Sequence, residues 1–408
     1  MRKGALAGGP LVVAPGPVLP HTRMATAGNA RGVLWDHHTG ATMFLAGMSH
    51  EGIYYRDYLG LDDLLATQRL ESGKHGEIVH DEMLFIVVHQ SYELWFKQVL
   101  WELDSILDIF ASDTVSEEDM GTVVSRLRRI TRIQSLLIEM ITVLETMTPL
   151  DFLDFRDYLF PASGFQSAQF RMVENKLGLR RGDRLLLAGD EYTARFDEGD
   201  REAVEEVESE TSLFDLVERW LERTPFLDHE DFHFWEAYRG AVHTRIQADR
   251  AVVESNPNLT DDERATQLRE FDHVLTQYEA LFDPAKHEIE RAAGRLRLSQ
   301  RAFQAAVFIT LYRDQPALQE PSRLLELLMD IDEGFTAWRH RHAQMALRMI
   351  GRRVGTGGSA GAKYLERSAE RSRVFSDLLN MSTFLVPRAD RPHLPPGIID
   401  SMRFRFES

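Results

Sequence analysis

Two histidines stand where a helix would bury them. His89 lies in "DEMLFIVVHQSYELWFKQVLWELDSILDIF", residues 81–110, a run that is apolar and aromatic along most of its length. Phe85 stands four residues before it and Phe96 seven after, so the imidazole shares their helical stripe. His342, in "WRHRHAQ", falls in register with Phe335, Trp338, Met345 and Met349 at spacings of 3, 4, 3 and 4. His340 is turned about 200° away on a helix, so the two cannot hold one metal together. A lone histidine on such a face reads two ways, as a hydrogen-bonded core residue or as a ligand. Two such helices, each bringing one imidazole in an aromatic lining, suit a flat iron macrocycle. One ring would bind the iron and the other would work on the opposite side of the plane.

Three further stretches carry chemistry. In "DFLDFRDYLFPASGFQSAQFR", Arg156 is a single charge between Phe155 and Asp157. It reads equally as half of a structural ion pair and as a bidentate clamp on a substrate carboxylate. "HEDFH" at 229–233 matches the zinc-protease pattern, with Glu230 as base. Its context argues for coincidence: a proline-containing turn precedes it, Phe232, Phe234 and Trp235 call for burial, and no third ligand follows at a recognisable spacing. "GTGGSAG" at 355–361 fits both a nucleophile-elbow pattern and a loose dinucleotide pattern. Both need a preceding strand, and here a long helix precedes. The loop reads instead as a helix C-terminus. Its exposed backbone N–H groups, with the hydroxyls of Thr356 and Ser359, can close over a ligand's carboxylate or ammonium.

The elements that must position these groups are helical. Besides the run at 81–110, periodicity predicts helices at about 122–144, 212–223, 259–282, 298–314 and 321–350. Pro149, Pro225 and Pro316 supply stops, and Thr260 with Glu263 supplies a capping signal. No credible strands, internal repeat or heptads emerge. The expected class is all-α, a bundle-like helical domain with no significant sheet. The acidic stretches 190–211 and 256–263 read as solvated connections or exposed helix faces. The expected division is a leader at 1–48, a main domain at 49–390 with a helical insertion at about 186–290, and a tail at 391–408. The leader, rich in Gly, Ala and Pro, lacks a continuous apolar core for a signal peptide. It reads as a disordered segment or as a start assigned upstream of Met24, Met43 or Met48.

Composition removes several function classes. The chain has 408 residues, 47 basic against 64 acidic, for a net charge of −17. That excess argues against a nucleic acid or an anionic membrane surface as partner. No apolar run approaches the roughly 20 residues that span a bilayer. With no cysteine, disulfides, thiolate metal sites and cysteine nucleophiles are excluded. A cytoplasmic protein acting on a small ligand is expected.

Four stretches together resemble the tryptophan 2,3-dioxygenase family, its longer, animal-like branch in particular: "HDEMLFIVVHQSYELWFKQVLWELDS", "FRDYLFPASGFQSAQFRMVENKLG", "RHRHAQMALRMIGRRVGTGGSAGAKYL" and "FSDLLNMSTFLVPR". The resemblance runs from about Tyr54 to Pro387. It implies an all-α homotetramer with haem b, iron(II) in the active form. The implied reaction adds both atoms of O2 to L-tryptophan and gives N-formyl-L-kynurenine. By motif, His342 is similar to the axial iron ligand and His89 to the distal histidine that accepts a hydrogen bond from the indole N–H. Arg156 resembles the carboxylate clamp, and Thr356 the hydroxyl that meets the substrate's ammonium and carboxylate. Phe85 and Phe152 resemble apolar walls for the indole, and Ile86, Val87 and Val88 are counted with them as substrate-binding positions. Tyr55 and Tyr58 resemble tyrosines delivered into a neighbouring subunit's pocket.

Ala360 replaces a serine of the usual glycine loop, and His340 stands where the shorter bacterial type carries an aromatic. These departures keep two alternatives open at this level: a related haem enzyme adding one oxygen to a tryptophan derivative, and a haem- or tryptophan-binding sensor.

Overall fold

The computed structural model describes residues 34–35, 42–43, 52–185, 191–225, 233–351, 353, 365, 367–368 and 371–403. The chain divides into two compact units, Met1–Thr67 and Gln68–Ser408. In the first unit, Leu34–Trp35 and Thr42–Met43 form a two-residue antiparallel ladder inside the expected leader. Two single-turn helices follow, Tyr55–Tyr58 and Leu61–Leu64. Gly60 joins them at φ 58°, a left-handed backbone that favours glycine.

The second unit is built from helices throughout its described residues, as expected. Three are long: α1 (His80–Phe110), α2 (Glu117–Leu144) and, near the end, Gln319–Ile350. On α1 the buried stripe runs Val88, Tyr92, Phe96, Val99, Leu103, Ile106 and Phe110. Its spacings of 4 and 3 keep one face toward the core, and each such side chain contributes about 1.5–3 kcal/mol by leaving water. α2 begins five residues before its predicted start, because Ser116 and Asp119 form a reciprocal capping box. The Thr260–Glu263 box appears as expected, with the Thr260 N–H donating to Glu263 Oε2 at 2.9 Å.

Between α2 and the last long helix lie α3 (Pro149–Arg156), α4 (Ala168–Leu177), α5 (Glu198–Ser209), α6 (Leu213–Glu222), α7 (Phe234–Ser255), α8 (Asp261–Phe282), α9 (Pro284–Ala292) and α10 (Gln300–Leu311). α11 is Gln319–Ile350. α2 packs against both α1 and α11. The α2–α11 approach is close at Gly334, where a Cβ would come within 2.6 Å of Gln134 Oε1. Gln134 Nε2 donates to the Ile331 carbonyl at 2.9 Å across the same seam.

Of the two readings of the acidic stretch, the exposed helix face holds over Glu198–Ser209. α5 turns its acids outward and buries Val204 against Tyr192 and Phe196. The described part of the expected C-terminal tail, residues 391–403, also packs on this unit. Leu394, Ile398 and Met402 enter the main core, and the Ala317 N–H donates to the Met402 carbonyl at 3.1 Å.

Three elements matter most for the site. α1 places Phe85 and His89 one turn apart. α3 does the same for Phe152 and Arg156, its start fixed by Pro149 in the first turn and a Thr148–Asp151 capping box. α11 carries Trp338, Arg339 and His342 on one side.

Candidate functional site

α1, α2, α3, α4 and α11 line a cavity of about 270 Å³. His89 and His342 both line it, reaching it from α1 and α11. His89 Nδ1 lies 2.7 Å from the Phe85 carbonyl oxygen. A carbonyl only accepts, so Nδ1 carries the proton and Nε2 is left as the acceptor nitrogen. The ring also rests against Phe85, centroids 4.0 Å apart. Burial lowers the His89 pKa below 6.5, against opposing pulls from the Phe85 carbonyl and Glu93, so the ring is neutral at physiological pH.

His342 stacks on Trp338 at 5.1 Å with an 11° interplanar angle. Burial, aided by the nearby His89, lowers its pKa to about 4. Its Nδ1 is sealed from solvent with no protein hydrogen-bond partner. A neutral, buried imidazole without a protein partner is a ready metal donor. Among the described residues no group of three or more His, Asp or Glu could hold a bare ion. His342 therefore suits a metal that arrives with most of its own donors. His340 is exposed on another face of α11.

Phe85, Phe152 and Phe155 form an aromatic wall, with centroid separations of 5.7, 5.6 and 5.4 Å. Beside it Arg156 reaches the cavity. Asp157 Oδ1 stands 4.0 Å from Arg156 Nη1 and is exposed, which makes it a weak partner. A flat apolar slot with a guanidinium at one end and an acceptor nitrogen within it suits an aromatic amino acid.

Residues 39–385 match the family model described as tryptophan 2,3-dioxygenase. Relatives bearing that name are 49% identical in Bdellovibrio bacteriovorus, over 88% of this chain and 100% of the relative, and 47% identical in Xenopus tropicalis, over 86% of each. One from Dictyostelium discoideum is 44% identical over 88% of this chain and 90% of its own. The chain belongs to the tryptophan 2,3-dioxygenase family.

The positions singled out by resemblance to the tryptophan 2,3-dioxygenase family divide into four groups. Phe85, His89, Phe152, Arg156 and His342 meet at the cavity. Ile86, Val87 and Val88 are not among its lining residues; Val88 packs in the core at 5% exposure and Val87 is 44% exposed. The helical turn explains this, since successive residues rotate by about 100° and only 85 and 89 share a face. Tyr55 and Tyr58 lie in the first unit, 73% and 71% exposed. Thr356 and the whole 355–361 loop lie outside the described residues, as does His229 of "HEDFH". No described helix is long and apolar enough to cross a membrane.

One group of cavity residues escaped the sequence reading. Glu174 on α4 is buried among three arginines. Arg171 Nη1 donates to its Oε2 at 2.8 Å, Arg339 Nη2 donates to its Oε1 at 2.6 Å, and Arg184 also donates to Oε2. Burial alone would raise the Glu174 pKa, but Arg171, Arg184 and Arg339 together hold it well below the usual carboxylate range. The available signal was Arg339 itself, a charge one turn before His342 on an otherwise apolar face.

Proposed function

We propose that this chain uses haem b, held at His342, to add both atoms of O2 across the indole C2–C3 bond of L-tryptophan. The product is N-formyl-L-kynurenine, which makes this the first step of tryptophan breakdown by the kynurenine route. The observation that carries the reading is the shared cavity of two neutral imidazoles from separate helices, with a guanidinium beside an aromatic wall.

Ferrous haem, when bound, supplies the activation of O2. The chain's own residues do the rest. His342 would hold the haem iron through a ring nitrogen kept unprotonated by burial, with Trp338 stacked on the imidazole. Phe85 and Phe152 hold the indole in a dry slot. Arg156 takes the substrate carboxylate through charge-assisted hydrogen bonds, each contributing about 1.5–3 kcal/mol. Thr356 would meet the ammonium and carboxylate from the glycine loop. His89 Nε2 accepts the indole N–H, which sets the orientation of C2 and C3. A cytoplasmic homotetramer is part of the same reading, with Tyr55 and Tyr58 of one subunit entering a neighbour's pocket.

The test is reconstitution with haem, reduction, and mixing with air and L-tryptophan. A Soret band and a product heavier by two oxygen atoms are expected. No haem uptake, or a product heavier by one oxygen, would overturn the proposal.

His89→Ala is expected to keep its Soret band while turnover falls about 10- to 100-fold, the scale of one lost orienting hydrogen bond of about 1.4–2.7 kcal/mol. The wild-type pH profile should follow the same group. Because burial lowers its pKa, the acceptor persists below pH 6.5, and activity is lost only as pH falls further. An alanine variant retaining that acid limb would show that another group causes it.

A further inference from the structure

The charge lining the cavity is unbalanced at one wall. Among the described lining residues Arg156, Arg171, Arg184 and Arg339 face two carboxylates, Glu93 and Glu174, so two positive charges are left over. Glu93 accepts from Gln169 Nε2 at 2.8 Å. The excess sits around Glu174, where one carboxylate serves three guanidiniums. Arg339 is 5% exposed, and the Arg184 side chain 6%. Arg339 Nη1 and Arg184 Nε are sealed from solvent and reach no hydrogen-bond acceptor among the described residues. Leaving buried guanidinium donors unmatched is costly, and a ligand that brings acceptors and negative charge removes the cost.

The location separates this cluster from Arg156. Arg156 stands beside the Phe85–Phe152 wall on α3. Two of the trio stand at the Phe170 wall, the Arg339 guanidinium 5.7 Å from the Phe170 ring and the Arg171 guanidinium 5.6 Å from it, while Arg184 lies 4.2 Å over the Tyr192 ring and joins them through Glu174. Phe170 is 5.1 Å from Trp338, the ring that stacks on His342. Arg339 and His342 are one turn apart on the same face of α11. A zwitterionic amino acid is neutral overall and cannot balance two charges. A dianion can.

We propose that Arg171, Arg184 and Arg339, preorganised on Glu174, form the binding site for the two propionate carboxylates of the haem. The assignment rests on the haem reading above. In it Glu174 is a positioning residue: it holds three long side chains in one arrangement before the cofactor enters and leaves a net charge equal and opposite to the two propionates. Arg156 is then reserved for the amino acid.

The experiment titrates the haem-free full chain with haem b and, separately, with its dimethyl ester, following the Soret band. The ester has the same iron and ring without the charges, so the wild-type comparison does not depend on any variant folding. It is expected to bind about 10- to 100-fold more weakly than haem, the effect of losing charge-assisted contacts. In Arg171→Gln and Arg184→Gln, haem should weaken toward the ester, and the gap should close to about threefold or less. Equal binding of the two porphyrins to the wild type would overturn the assignment and leave the haem reading standing, as would an undiminished gap in both variants. Uptake of neither porphyrin would overturn the haem reading and this assignment together.

Discussion

His342→Ala is expected to purify as a folded chain with no Soret band, and to turn over no L-tryptophan even with haem added to the buffer. The expectation follows from how the side chain sits. His342 makes no hydrogen bond to a described residue, and its Nδ1 is buried without a partner among them. Its ring stacks on Trp338 with centroids 5.1 Å apart. Removing it therefore removes about 0.5–1.5 kcal/mol of aromatic contact. It also relieves a buried, unsatisfied polar atom that costs about 1–3 kcal/mol. The haem-free melting temperature should move by only a few degrees, and far-ultraviolet dichroism should be unchanged. Cofactor uptake should fail outright, because α11 brings no second imidazole to the described lining, only the weak thioether donors of Met345 and Met349. Imidazole added with the haem should restore a Soret band in the alanine variant, since the lost side chain leaves space of that shape. His340→Ala, on an exposed face of the same helix, should take up haem normally. Retention of haem by His342→Ala together with its loss in His340→Ala would show that the helix register toward the iron is wrong.

The two imidazoles were legible in the sequence because a helix converts spacing into direction. Phe85 and His89, or Trp338 and His342, differ by four residues, and one turn of helix aligns them whatever the tertiary fold. The same rule excludes Ile86, Val87 and Val88 from the cavity, although resemblance alone had placed them there. Arg156 could be recognised as a candidate but not assigned, since the choice between ion pair and clamp depended on where the carboxylate of Asp157 points. That carboxylate turned out to be exposed and 4.0 Å away. The arginine cluster was hidden for a different reason. Arg339 and Glu174 are 165 residues apart, and no local pattern reports a contact between two helices that meet only in the folded chain. The same holds for Asp332, which accepts from the Val374 and Phe375 N–H groups at 2.9 and 2.6 Å and ties the C-terminal limb to α11. Near the C-terminus, short polar and proline-rich segments read as a tail because their few apolar residues, Leu394, Ile398 and Met402, show no periodicity. Each nevertheless fills a gap in the main core.

Glu174→Gln is expected to destabilise the haem-free chain by about 3–5 kcal/mol, the range for removing one partner from a buried ion network. The amide keeps the shape and one acceptor oxygen but no charge, so three guanidiniums in a nearly dry wall lose their counter-ion. The pH dependence distinguishes this cause from a simple packing defect. Glu174 has a folded pKa below its unfolded value of 4.5. Its stabilising effect is therefore fully present above about pH 4.5 and is lost as pH falls from there toward the folded pKa. His89 and His342 also have lowered values, so they too oppose folding in acid, but their effect begins at 6.5 and for His342 extends down to about 4. Urea unfolding between pH 8 and pH 3 should then show wild type and variant losing stability in parallel from pH 6.5 to about 4.5, with the histidines acting in both. Below 4.5 the two curves should converge, because the wild type is losing what the variant lacks. A constant difference down to pH 3 would mean that the carboxylate's charge is not what holds the wall. The arginines give an independent check. Arg171→Gln with Glu174→Gln leaves two guanidiniums in place of three, so the double variant should be less destabilised than the two single changes predict together. The coupling should fall within the 0.5–3 kcal/mol typical of directly paired groups. Strict additivity would mean that Arg171 and Glu174 do not act on one another, and the three arginines could not then be preorganised by that carboxylate.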